Sequence, residues 1–375
     1  MFSNAFGLIY SGSDNWQLKD FTMLRSLASV PFGGRYRIID FPMSNMVNSG
    51  IASVGVMTQS NYSSLIDHLG SGAPWDLNRK RDGLYLLPPF NSSESGANIG
   101  SVDALISAMD YMEHTSARYC VYQGCTSVFN TCYREVLDFH LAKKADITCL
   151  YFVDPPQRSL EDMGSGDIRF LLDEDSRVTA MEVDAKRPLS HNVFLDGMIL
   201  DKQLLTYLTL EAHNSDQVDF CKDLLRKKVN ELRIYAYPIH TYVGRICTVK
   251  SFFEANLDIL NPKVSAQLFN REAPIWTKIK DEVPALYKSC AVVKNSMVAD
   301  GCVIEGEIEN CVLSRAVRIA QGAKLKNCVI MQGCEISEGV ELENVILDKE
   351  VTVRRGRRLV GTESYPVSVR KLSVV

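Results

Sequence analysis

The sequence predicts an α/β protein in two parts, a Rossmann-like layered domain followed by a parallel β-helix. Three observations carry this. Up to about residue 260, apolar strand-like runs alternate with amphipathic segments, the pattern of layered α/β domains. Beyond residue 289 an Asn followed by small or aliphatic residues recurs every 15 to 17 positions. A chain of 375 residues also exceeds the usual size of one hydrophobic core, so two domains are expected.

In order along the first domain, residues 5–10, 53–58, 119–123, 147–153 and 233–237 read as strands. Residues 100–115, 131–144 and 217–230 carry apolar positions at helical spacing between them. Residues 1–260 therefore form the α/β unit. Residues 261–288, of mixed composition and carrying Pro274 and Pro284, interrupt any helix and read as a linker. Residues 289–375 form the second domain. Its motifs Asn295-Ser296-Met297-Val298, Asn310-Cys311-Val312-Leu313, Asn327-Cys328-Val329-Ile330 and Asn344-Val345-Ile346-Leu347 march in step with Gly322, Gly339 and Gly356. Short aliphatic runs between sharp turns suit a triangular coil that stacks equivalent positions, with Cys311 and Cys328 stacked inside. A β-sandwich with coincidental spacing is the alternative.

Composition narrows the function. With a net charge of -4 and 23% charged residues there is no long-range field to hold nucleic acid or an anionic membrane. Residues 1–10 lack the pattern of a secretory signal, and no segment stays apolar long enough to span a bilayer, so a cytoplasmic location is expected. Eleven cysteines include no C-x-x-C pair, and Cys120, Cys125 and Cys132 are spaced too irregularly for zinc. Most read as small buried hydrophobes. His140, on an apolar-patterned helix, reads as a packed residue and not a general base.

Several strings are more specific. Pro31-Phe32-Gly33-Gly34-Arg35-Tyr36-Arg37-Ile38-Ile39-Asp40-Phe41-Pro42, Asn48-Ser49-Gly50-Ile51 and Gly72-Ala73-Pro74-Trp75-Asp76-Leu77 resemble the bacterial glucose-1-phosphate adenylyltransferase family (ADP-glucose pyrophosphorylase). Tyr235-Ala236-Tyr237-Pro238 and Glu254-Ala255-Asn256-Leu257-Asp258 extend the likeness to nearly the whole chain. The resemblance implies a nucleotidyltransferase domain followed by a left-handed, hexapeptide-repeat-like β-helix. In catalytic members glucose-1-phosphate attacks the α-phosphorus of ATP and expels pyrophosphate. Such a step rests on positioning and charge neutralisation, so it needs a phosphate-cradling loop, basic side chains and Mg²⁺ on carboxylates.

Against that pattern the chemistry is depleted. The Gly-rich loop reads Tyr10-Ser11-Gly12-Ser13-Asp14-Asn15-Trp16-Gln17-Leu18, with Gln17 where the family carries a phosphate-binding Arg. Leu27 falls on a family Lys. Cys125, in Gln123-Gly124-Cys125-Thr126, falls on the first metal-binding Asp, and Arg245, in Val243-Gly244-Arg245-Ile246, on the second. A neutral thiol is a poor ligand for a hard cation. Two carboxylates replaced by a thiol and a guanidinium take the local charge from -2 to +1, and unit charges ~4 Å apart interact by about 4 kcal/mol at an effective dielectric of 20. A shifted register would instead let Asp103, Asp196 or Asp219 supply ligands.

The resemblance thus implies a regulatory subunit that is catalytically silent or very weak, with no metal or cofactor of its own and Mg²⁺ only in a catalytic partner. It implies a heterotetramer with that catalytic subunit, or a homodimer alone. Gly12, Gln59 and Gly124 are nucleotide-site remnants; Lys186, Asp196 and Gly197 are candidates for sugar phosphate. Arg354, Arg355, Arg357 and Arg358 suit an effector phosphate or form a solvated basic turn. An active sugar-phosphate nucleotidyltransferase with a rearranged metal site is the alternative. An acyltransferase on the β-helix is disfavoured, because no His follows His240.

Overall fold

The computed structural model describes residues 4–12, 16–58, 61–89, 100–154 and 167–375. The fully buried strand Ala5–Tyr10 is the centre of a nine-stranded sheet. Ser53–Met57 and Tyr119–Gly124 flank it in parallel, and Gly83–Leu87 adds a further parallel strand. Side chains of a strand point alternately to opposite faces. Ala5 and Ile9 accordingly enter one apolar core, while Phe6, Leu8 and Tyr10 enter the other. Helices Asp40–Asn48 and Val249–Asp258 cover the first face; Ser101–Ser107 and Lys202–Asn214 cover the second.

The sheet is layered as the sequence predicts but mixed, parallel at its centre and antiparallel to one side. Asn192–Asp201 enters antiparallel to both Tyr119–Gly124 and Ile147–Val153, and Ile234–Pro238 continues from the latter in parallel. Its alternation is broken by a bulge between Phe194 and Met198, where Asp196 takes a φ of 53°. That irregularity hides the strand from a period-two pattern. The linker differs too. A helix, Pro262–Leu268, opens it, because the Asn261 side chain accepts from Lys263 N–H and Pro262 sits where a helix has no use for an N–H.

The second domain is a coil of parallel strands on three faces. One row runs Val303–Ile304, Arg318–Ile319, Glu335–Ile336, Thr352–Val353, each paired to the next. A second joins Val292–Lys294, Glu307–Glu309, Lys324–Ile330 and Glu341–Leu347, and the third carries Met297–Val298 onto Val312–Leu313. Cys302, Cys311, Cys328 and Cys334 are buried inside with Ile, Leu and Val neighbours, and none of the eleven cysteines is in a disulfide. Val312, Val329 and Ile346 face outward into the same core as Phe252 and Phe253, so the coil is packed onto the α/β domain.

One corner explains the recurring asparagine. Asn295, Asn310, Asn327 and Asn344 all hold left-handed φ values of 39° to 53°. Each side-chain amide donates to the next corner: Asn295 to Asn310 at 2.7 Å, Asn310 to Asn327 at 3.2 Å, Asn327 to Asn344 at 3.2 Å. Asn is among the few residues that tolerate this conformation. The ladder ends at the first coil, where Tyr287 and Val293 remain 49% and 37% exposed although their stacked neighbours Ile304 and Ile308 are buried. The coil is open at that end. Among the described residues no helix is long and apolar enough to cross a membrane.

Asn327→Ala removes two ladder bonds, about 1 kcal/mol each, and adds about 1 kcal/mol of left-handed strain, so chemical denaturation should show a loss of about 3 kcal/mol. Asn327→Gly should lose roughly 2 kcal/mol, because glycine accepts the corner without strain.

Candidate functional site

Open α/β sheets place ligands beyond the carboxyl ends of their parallel strands. A cavity of about 430 Å³ lies there, bounded by Tyr10 at the end of the central strand and Gly12 beyond it, by Tyr122 and Thr126 around the next, and by Asp196, Asp219 and Arg245. Strand Val243–Arg245 pairs with Ser127–Phe129 in a register that sets Arg245 opposite Ser127, on the cavity wall. Its guanidinium is buried and donates through Nη1 to Asp167 Oδ2 at 2.9 Å and through Nη2 to Asp167 Oδ1 at 2.5 Å. Nη2 also lies 3.1 Å from Cys247 Sγ. Arg169 extends the network, 3.2 Å from Asp154 and 4.0 Å from Asp167. Burial alone would lower the Arg245 pKa; Cys247 and Asp167 outweigh it, and the net shift is upward.

Cys125 follows the strand Tyr119–Gly124 directly and is completely buried among apolar side chains. Burial, then the Asp196 carboxylate, pushes its thiol well above the usual range, so it stays neutral. Gly124 leaves room for that carboxylate, since a Cβ there would collide with it. Asp196 itself is raised to about 7, first by desolvation and then by Asp219, with Lys222 and Arg245 opposing. Asp219 is engaged as a helix cap, accepting from Cys221 N–H and Lys222 N–H, both at 2.9 Å.

Mg²⁺ asks for several anionic oxygens around one point. The donors present do not converge on such a point: Cys125 is a neutral thiol, Arg245 a fixed cation that holds Asp167, Asp196 is shifted toward its protonated form, and Asp219 and Asp223 accept from backbone N–H groups, which leaves Asp184 at the rim. Among the described residues no three His, Cys, Asp or Glu side chains converge as ligands. Asp103 lies away from the cavity, 3.9 Å from His213.

The other candidates are scattered. Gln17 sits in the short turn Trp16–Leu18, outside the cavity wall, and Leu27 is buried in the core. Gln59 falls outside the described residues. Asp184 reaches the cavity but Lys186, two residues on, is exposed and does not line it. Gly197 sits in the bulge, where its backbone faces the Gln123 side chain. Of the basic turn, Arg355 pairs with Glu338 at 3.2 Å and Arg358 with Glu341 at 3.2 Å, leaving Arg354 and Arg357 exposed beside them. His140 is buried against Thr148 Oγ1 at 2.9 Å.

A second cleft escaped sequence reasoning. Between the domains, Arg35 and Arg37 of the first, Lys278 and Lys280 of the connecting segment, and Arg315 and Lys349 of the coil converge with His68. Arg37 donates to Ser64 O at 2.6 Å, and Lys278 lies 3.2 Å from Asp67. Arg35, Lys280, Arg315 and Lys349 form no ion pair with a carboxylate among the described residues. Burial and mutual repulsion lower the pKa of Lys280 and of Arg315. Six cations gathered from positions 35 to 349 leave no local charge run to find. The alternating pairs Arg35/Arg37 and Lys278/Lys280 were the available signal.

Comparison with known proteins agrees with both halves. The nucleotidyl transferase family model matches residues 6–261, and the GlmU-like C-terminal hexapeptide model matches residues 283–365. The glycogen biosynthesis protein GlgD of Bacillus subtilis (strain 168) is 35% identical over 99% of this chain and 97% of its own length. Glucose-1-phosphate adenylyltransferase of Geobacillus stearothermophilus is 33% identical over 86% of this chain and 83% of its own. That of Clostridium acetobutylicum is 33% identical over 84% and 82%.

Two outcomes follow from the cavity. Arg245→Ala strands a buried Asp167 carboxylate and should cost about 3 kcal/mol in chemical denaturation, most of it recovered when Asp167→Asn is added. Asp196 has a folded pKa near 7 against 3.8 for the free group, so its stability contribution falls as pH rises between those values. Asp196→Asn should therefore raise the unfolding midpoint at pH 8, with the gain vanishing near pH 4.

Proposed function

Since the chain belongs to the glucose-1-phosphate adenylyltransferase family, we propose that it is a regulatory subunit in glycogen biosynthesis, silent or very weak in the transfer itself. It would work by pairing with a catalytic paralogue. The observation that carries this is the Arg245–Asp167 bond: the cation stands where the resemblance places a metal-binding acid, and it is held there by two hydrogen bonds.

Charge supports the same conclusion. Among the described residues five aspartates, 167, 184, 196, 219 and 223, line the cavity against two cations, Lys222 and Arg245, so acids are in excess even with Asp196 partly protonated. Unless a divalent ion offsets it, such a wall repels a triphosphate and a sugar phosphate alike. The loop beside it retains Gly12 but has Gln17 in place of a cation.

The basic cleft supports the regulatory part. Cations from both domains face one another with too few carboxylates, which is what a phosphate ester would neutralise. We assign the effector phosphate to this cleft and not to the turn at 354–358, where two of four arginines already pair with glutamates. Pairing with a catalytic subunit, in a heterotetramer or as a homodimer alone, has a physical route at the open first coil, where apolar Tyr287 and Val293 meet unpaired strand edges. Cysteines without disulfides suit a reducing cytoplasm.

An active enzyme with a rearranged metal site is favoured only by Asp196 and Asp219 sharing the cavity. A pyrophosphate-release assay separates the two. The purified chain alone should turn over at least about a hundredfold more slowly than the catalytic paralogue, and mixing should change the paralogue's response to phosphorylated effectors. Turnover alone equal to the paralogue's would overturn the proposal.

A further inference from the structure

We propose that the charged face of the coil is self-complementary and takes a second copy of this chain, with the two coils antiparallel. The second row of strands projects two columns of side chains outward, because alternate residues of a strand point to opposite faces. One column runs Glu307, Lys324, Glu341, Arg358; the other runs Glu309, Lys326, Glu343, Val360. Val292 and Lys294 stand above them on the first rung. Between the columns Ile308, Leu325 and Leu342 turn into the core, which leaves a trough of about 250 Å³ along the coil.

The sign of charge alternates from rung to rung, and paired strands lie ~4.8 Å apart, so each charge has an opposite neighbour within reach. Pairing within the chain is nevertheless incomplete. Lys326 meets Glu343 at 3.5 Å and Arg358 meets Glu341 at 3.2 Å. Lys294, Glu307, Glu309 and Lys324 are exposed and form no ion pair among the described residues. The upper part of the face thus carries charges of both signs that have no partner in their own chain.

Symmetry decides how a second copy can cover them, since a twofold axis presents the same patch from both sides. An axis along the coil sets Glu307 against Glu309 and Lys324 against Lys326, and like charges oppose. An axis along the strands reverses the order of rungs. Passing through the rung of Lys324, it again sets like on like. Passing midway between the rungs of Glu307 and Lys324, it sets Glu307 against Lys324, Glu309 against Lys326 and Lys294 against Glu343, each contact occurring twice. Every unpaired charge is then met, and Val292 against Glu341 is the one mismatch. A placement one rung further on leaves Lys294 and Glu309 unmet. The open end of the coil stays uncovered, free for the catalytic subunit proposed above.

Exposed ion pairs contribute little singly and more as an array, and salt weakens them: the screening length falls from ~10 Å at 0.1 M to ~3 Å at 1 M. Sedimentation velocity of the full chain should therefore show a mass in about 0.1 M sodium chloride that halves in about 1 M. The readout is a ratio of masses, so it holds whether or not the open end also pairs. Lys324→Glu with Lys326→Glu should abolish the low-salt step by setting acid on acid. Glu307→Lys with Glu309→Lys should abolish it by setting base on base. Mixed in equal amounts, the two variants should regain it, because each now complements the other; recovery also shows that both are folded. A mass independent of salt, a low-salt step retained by either variant, or no recovery on mixing overturns the inference and leaves the regulatory-subunit reading standing.

Discussion

The bond between Arg245 and Asp167 is the constraint on which the first cleft depends. Burying a guanidinium is costly unless it is paired, and here two donors of Arg245 meet one carboxylate while Arg169 and Asp154 extend the pairing, although Nε of both arginines is buried without a partner among the described residues. The network ties strand Val243–Arg245 to Asp167 and thence to the hairpin that begins at Ile168. Its charges are mutually compensating, so neither partner can be exchanged alone without leaving the other buried and unpaired. An acid at position 245 would instead sit beside Asp167 and near the cavity aspartates.

The two clefts are opposite in sign and share one scaffold. The run from Pro31 to Pro42 shows how. Phe32 and Phe41 pack edge to face in the core, with ring centres 5.5 Å apart, while Gly33 N–H donates to Asn256 Oδ1 at 3.0 Å and pins the turn to helix Val249–Asp258. Gly34, at a φ of 78°, passes close to Leu313 O of the coil, where a Cβ would be crowded. Arg35 and Arg37 thereby reach the interdomain cleft. Helix Val249–Asp258, which begins just after Cys247 on the acidic side, also packs against the coil, so a single rigid element borders both regions.

Much of this was legible in the sequence. The central strands were recognisable because both their faces are buried and they read as continuous apolar runs, as residues 5–10 and 147–153 do. The coil was legible because each turn repeats the same corner chemistry in Asn295, Asn310, Asn327 and Asn344. The bulged strand Asn192–Asp201 was not, since Asp196 and Gly197 interrupt its alternation. The cationic cleft was not either, because its members are distant in sequence and only the docking of coil on sheet joins them. Local pattern reports what neighbours in the chain do; charge assembled across a domain interface leaves no such trace.

Whether the first cleft holds a divalent ion is tested most directly by titrating the purified chain with Mn²⁺ in the presence of ATP and following the free-ion signal by electron paramagnetic resonance. The free-ion signal should fall only by the amount that ATP alone sequesters, unchanged by added protein or by Asp196→Asn. A saturable, protein-dependent loss of signal that Asp196→Asn or Asp219→Asn abolishes would contradict the account, since it would put a divalent ion in the cleft beside Arg245.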